Sequence, residues 1–72
     1  MSRVEAHERI RKLLVLGDNR LKQGHDARAL TKARESYEEA LALAVESGLA
    51  AQVRPLVELR LADLEQREHP SP

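Results

Sequence analysis

The sequence predicts an all-α domain of three helices, an antiparallel hairpin followed by a third helix. Three observations carry that expectation. Leu, Ala, Glu, Lys and Arg dominate the composition, and these residues lose least on entering a helix. Apolar residues recur at three- and four-residue steps rather than alternating, so they gather on one side of a helix and not on one face of a strand. Glycines at 24 and 48 divide the chain into three segments, each long enough for several helical turns. With 72 residues the chain is expected to be one domain, spanning 1–67, near the size at which a single core gives only marginal stability. Tyr37 is the one aromatic residue, so the core must be built by close helix contact over alanine rather than around large rings.

The first helix is expected over about 3–23, with Ala6, Ile10, Leu13, Leu14, Gly17 and Leu21 on one face. Gly24 should end it in the left-handed conformation that glycine adopts freely, with Lys22 favourably placed in the last turn. Asp26 is positioned to cap the second helix, expected over about 27–46. Leu30, Ala33, Tyr37, Ala40, Leu41 and Ala44 form its apolar stripe, Glu35, Glu38 and Glu39 face away from it, and Gly48 closes it. The third helix is expected over about 51–67. Pro55 is its one local conflict, because proline has no N–H and disfavours a helical conformation at Arg54. Either Pro55 lies in the first turn or the helix is kinked there. The tail, 68–72, holds two prolines and is expected to be disordered.

Composition narrows the functional classes. There is no cysteine, which excludes disulfides and thiolate metal sites. No stretch approaches the roughly 18 apolar residues of a membrane span, and the N-terminus does not resemble a signal peptide, so a cytoplasmic location is expected. Net charge is zero, but residues 1–34 hold nine Lys/Arg against four Asp/Glu, while 35–72 hold three against eight. These +5 and −5 halves can complement each other within one molecule or attract a second chain.

Catalytic and metal-binding patterns find no support in the residues. His7, His25 and His69 lie on three separate segments, none with a second His or Cys at ligand spacing. Glu35, Glu38 and Glu39 have Lys32 and Arg34 nearby and no facing histidine, and read as a solvated face. Di-iron bundles need a Glu-x-x-His pair on each of two helices, a spacing that His7 and His69 lack relative to Glu5 and Glu68. No Gly-rich phosphate loop is present. The expectation is a non-enzymatic protein without cofactor or metal. The cations of the first half, including Arg9, Arg11, Lys12, Arg20, Lys22, Arg28, Lys32 and Arg34, make a basic-faced nucleic-acid binder the alternative. It ranks second, because aromatics for base stacking are missing and Glu5, Glu8, Asp18 and Asp26 interrupt the field.

Internal similarity adds a further element. Shifting the chain by 45 residues sets Leu14 on Leu59, Leu16 on Leu61, Gly17 on Ala62 and Asp18 on Asp63. Leu16 and Gly17, followed by Ala33, Tyr37 and Ala40, resemble the tetratricopeptide repeat, with Leu-Gly in its first helix and A-x3-F-x2-A in its second. The run Ala-Leu-Ala-Leu-Ala at 40–44 before Gly48 also resembles the longer bacterial variants of that repeat. The resemblance covers about residues 10–66, or about one and a half repeats. The chain departs from the pattern at Leu13, where the family has Trp, and at Arg20, where it has Tyr. Four extra residues separate Gly17 from Ala33, and the usual proline after the second helix is missing. The resemblance implies a protein-interaction module, but the positions that grip a peptide carboxylate in such repeats fall on Leu14 and Asp18, and in the second copy on Leu59 and Asp63. An apolar residue and an acid cannot hold a carboxylate.

The expected role is therefore a small adaptor or interaction module that self-associates through its third helix. Leu13, Leu14, Gly17 and Leu21 should pack against Ala33, Tyr37 and Ala40 to close the hairpin. Val53, Val57, Leu61 and Leu64 form one stripe on the third helix and Leu56 and Leu59 a second. All six are assigned to a self-association surface, since one and a half repeats leave an apolar strip that a further repeat would otherwise cover. A homodimer is the expected form, with another protein as a possible partner and no membrane.

Overall fold

The computed structural model describes residues 2–24 and 26–68. They form three helices, α1 (Arg3–Gln23), α2 (Ala27–Ser47) and α3 (Ala50–Glu68), and no strand occurs among the described residues. The protein is all-α, a helical hairpin plus a third helix. His25 and the tail beyond Glu68 lie outside the described residues. Glu68, assigned to the tail by sequence, is the last residue of α3, and its carboxylate accepts a hydrogen bond from Arg34 of α2 at 2.6 Å.

Side-chain oxygens and one glycine set the helix ends. Ser2 Oγ accepts from the Glu5 backbone N–H at 3.1 Å, and Asp26 Oδ1 accepts from the Ala29 N–H at 2.9 Å, each satisfying a donor that the first turn leaves without a partner. Gly48 terminates α2 in the left-handed conformation, φ 76°. The Leu49 N–H reaches back to the Ala44 carbonyl at 2.8 Å, the hydrogen bond that closes a Schellman cap, and Leu49 itself is buried. Gly24 behaves otherwise. The left-handed stop expected there is not used: its backbone is extended, φ −170°, which any residue can adopt.

Helix α2 is the centre of the arrangement. It packs against both α1 and α3, while α1 and α3 meet mainly through side chains such as Asp18 and Arg60. The described helices span 44 × 21 × 13 Å. Ala6, Ile10 and Leu14 of α1, Leu30, Ala33, Tyr37, Ala40 and Ala44 of α2, and Leu49, Val53, Val57 and Leu64 form one continuous core. The 45-residue internal match does not follow it. Leu14 is buried but Leu59 exposed, and Gly17 is buried but Ala62 exposed. Matching buried positions instead sets Ala6, Ile10 and Gly17 against Val53, Val57 and Leu64, forty-seven residues on. Leucines on two sides of α3 made the shorter offset match by residue type alone.

Pro55 is the sixth residue of α3, past the first turn, and the helix continues through it. The Leu49 carbonyl accepts the first bonds of the helix, from Gln52 and Val53, so the missing Pro55 N–H would have reached Ala51, at an exposed position. Restoring that donor with Pro55→Ala should stabilise the protein by about 2 kcal/mol, the interior cost of proline less the chain entropy it removes from the unfolded state. Thermal melts should show a midpoint higher by several degrees. An unchanged or lower midpoint would mean that Pro55 favours the start of α3 more than it damages its second turn.

Candidate functional site

The most concentrated chemistry lies where the three helices converge. Gly17 of α1 faces the Tyr37 ring of α2 so closely that a β-carbon at Gly17 would lie 2.4 Å from Cε1, far inside van der Waals contact. Tyr37 is completely buried, so its hydroxyl needs a partner. It donates to Asp18 Oδ1 at 2.5 Å, one residue along α1 from the glycine. Arg60 of α3 completes the cluster: Nε donates to Asp18 Oδ1 at 3.1 Å and Nη2 to Oδ2 at 3.3 Å, a two-pronged pair. Its Nη1 donates to the Leu56 carbonyl, and its guanidinium carbon lies 5.9 Å from the Tyr37 ring centre, within cation–π reach. One carboxylate thus ties all three helices together.

This arrangement opposes acid–base chemistry. Burial pushes the Asp18 carboxyl up, but hydrogen bonds from Arg60 and Tyr37, with the charges of Arg60 and Lys22, outweigh it and hold the pKa below the usual carboxylate value. Burial, followed by the hydrogen bond to Asp18 and its charge, drives the Tyr37 phenol well above its ordinary value. Both groups move away from neutrality, whereas a general acid or base works best with a pKa near the operating pH. Among the described residues no group of His, Asp and Glu could hold a metal ion, and no helix is long and apolar enough to cross a membrane.

An open groove runs over the cluster between α1 and α3, lined by Leu21 and Lys22 on one side and Leu59, Asp63 and Arg67 on the other. Asp63 accepts from Arg67 Nε at 3.0 Å across one turn of α3. Of the residues assigned to hairpin packing, Leu14, Gly17, Ala33, Tyr37 and Ala40 are buried, and Leu13 and Leu21 are partly buried against the same core. The six residues assigned to self-association separate. Val53, Val57 and Leu64 are buried against α2 and cannot meet another chain, which corrects that assignment. Leu61 is half-buried, and Leu56 and Leu59 are exposed. Sequence reasoning missed the pairing of Asp18 with Arg60, which lie forty-two residues apart and carry no local signal of one another. A buried tyrosine needs a nearby hydrogen-bond acceptor, but nothing in the sequence singled out Asp18 for that part. The chain matches no protein-family model, and no curated protein or solved structure matches it.

Two outcomes follow from the cluster. Gly17→Ala drives a methyl group into a ring that Asp18 holds in place. Overpacking of about 1–3 kcal/mol should exceed the gain of about 1 kcal/mol in helix propensity, so denaturant titration should show a net loss. A more stable Ala variant would show that the ring moves freely. Asp18, with its lowered folded pKa, contributes stability that is present above its unfolded value, near 3.8, and lost as pH falls through the folded value. Asp18→Asn should lower the melting midpoint at neutral pH and reduce its fall as the pH is taken below about 4. An identical acid profile in the variant would count against the cluster.

Proposed function

We propose that this chain is a non-enzymatic protein–protein interaction module that forms a homodimer through α3. The carrying observation is the exposure of two leucines on that helix, 47% for Leu56 and 71% for Leu59. The helix packs chiefly on α2, so its other sides are available. Covering a leucine side chain gains about 1.5–3 kcal/mol, and a two-fold axis would cover both residues from each chain at once. The buried Gly17–Tyr37 contact and the hairpin-plus-helix order are in keeping with a tetratricopeptide-like repeat, and a second copy would cover the exposed leucines of α3. A small cytoplasmic adaptor is the role this reading implies, and a chain without cysteine suits that location.

Sedimentation equilibrium at micromolar concentration and about 0.5 M salt, where exposed ion pairs are screened, tests the reading. The expected mass is that of two chains, and Leu59→Glu should return it to one chain with the helical circular dichroism unchanged. A wild-type chain that stays monomeric across that range, or a Leu59→Glu dimer as tight as the parent, would overturn it.

A further inference from the structure

We propose that the flank of α1 turned away from α3 docks onto the flank of α3 turned away from α1 in a second copy, so that chains stack head to tail. This contact uses different residues from the Leu56–Leu59 dimer and stands without it.

Asp18 marks the flank of α1 that faces α3, because it bonds Arg60. Residues near half a turn away look outward, and Arg9, Leu13, Leu16 and Arg20 form such a stripe at steps of four, three and four. Leu16 is exposed, and Leu13 is only partly covered by the core. Lys12 and Arg9 share a hollow with these two leucines, with Glu5 and Glu8 at its N-terminal end. Beyond it, Arg20, Arg28 and Lys32 line a second hollow, whose one carboxylate, Asp26, is engaged in capping α2. This edge is apolar at its middle and carries five cations, Arg9, Lys12, Arg20, Arg28 and Lys32, with Glu5 and Glu8 at its N-terminal end.

The flank on α3 carries two carboxylates around one leucine, with a single cation, Arg54, at its N-terminal end. Val57 and Leu64 mark the face of α3 that lies on α2, and Arg60 the flank toward α1. Arg54, Glu58, Leu61 and Glu65 run along the flank beyond, again at steps of four, three and four. Leu61 is half-buried, whereas Glu58 and Glu65 are exposed. Neither glutamate, and none of Arg9, Lys12, Arg20, Arg28 and Lys32, makes an ion pair within the chain among the described residues. The spacings agree. Glu58 and Glu65 are separated by a rise of about 10.5 Å, and Arg9 and Arg20 by about 16.5 Å. The excess of about 3 Å at each end lies within the reach of arginine and glutamate side chains once Leu61 sits between Leu13 and Leu16.

The two edges are different surfaces, so the contact is head-to-tail and leaves one free edge at each end of any stack. Exposed ion pairs of this kind are weak singly and screened by salt, so assembly should depend on ionic strength. The experiment is light scattering on the Leu59→Glu variant, which separates this contact from the α3 dimer, at about 20 mM and about 0.5 M salt. At low salt the mass should rise with protein concentration, and at high salt it should return to one chain. Glu58→Lys/Glu65→Lys and Arg9→Glu/Arg20→Glu, each placed in that background, should each weaken association at least tenfold. Mixing the two charge-reversed proteins should restore it, because each then offers the edge the other needs. Mass independent of salt, charge reversal without effect, or no recovery on mixing would each overturn the proposal. Wild-type dimerisation that is lost while low-salt stacking persists would instead count against the Leu56–Leu59 reading alone.

Discussion

At Gly17 the α1 backbone comes so close to the Tyr37 ring that a methyl group would not fit, and this approach sets the spacing on which the other contacts depend. A chain with one aromatic residue cannot fill a wide gap between helices. It therefore brings α1 onto a row of alanines, Ala33, Ala40 and Ala44, and uses the single ring as a wedge between them. The wedge works in both directions. Packing against Gly17 fixes the ring, and its hydroxyl, buried with it, fixes the Asp18 carboxylate one residue further along. That carboxylate then offers its oxygens to Arg60, so the geometry of the hairpin determines where α3 can dock.

The dependence runs from the hairpin outward. Helix α2 is apolar on both flanks because it serves two neighbours, whereas α1 and α3 each need to be apolar toward α2 alone. Helix α3 goes beyond that need. Val53, Val57 and Leu64 meet α2, while Leu56 and Leu59 look away from it. Two polar ties, Asp18–Arg60 and Arg34–Glu68, sit on either side of its buried line and orient it. Both are partly open to water and add little energy of their own. Their value is directional, since an apolar strip alone would permit rotation of a helix that has leucine on two sides.

The sequence made the helices themselves legible, and the reasons are local. Ser2 and Asp26 accept from the first turn of α1 and α2, and Gly48 supplies the left-handed turn that ends α2. Such signals act over three or four residues and can be read without knowing what lies opposite. Gly24 shows the limit, because a glycine can end a helix in extended geometry and its presence does not fix which stop is used. The face that α3 buries was not legible, since Leu56 and Leu59 compete with Val57 and Leu64 in any periodic pattern and only the position of α2 decides between them. The Asp18–Tyr37–Arg60 cluster was likewise out of reach. Its members come from three helices, and each is an ordinary residue in its own segment.

The dependence of α3 on α2 alone also bears on how the native state opens. Contacts between α1 and α2 bridge one short turn and survive without α3, whereas α3 keeps almost none of its burial once it leaves α2. Detaching it exposes Val53, Val57 and Leu64, together with Leu49 in the connecting turn, and leaves the Gly17–Tyr37 contact in place. Because it packs chiefly on one neighbour, the third helix should open at lower free energy than the α1–α2 hairpin. In hydrogen-exchange terms, the amides of α3 should form the less protected unit, and those flanking Tyr37 the more protected one. A partner that covers α3 would raise the protection of that unit toward the level of the hairpin and make the two halves exchange as one.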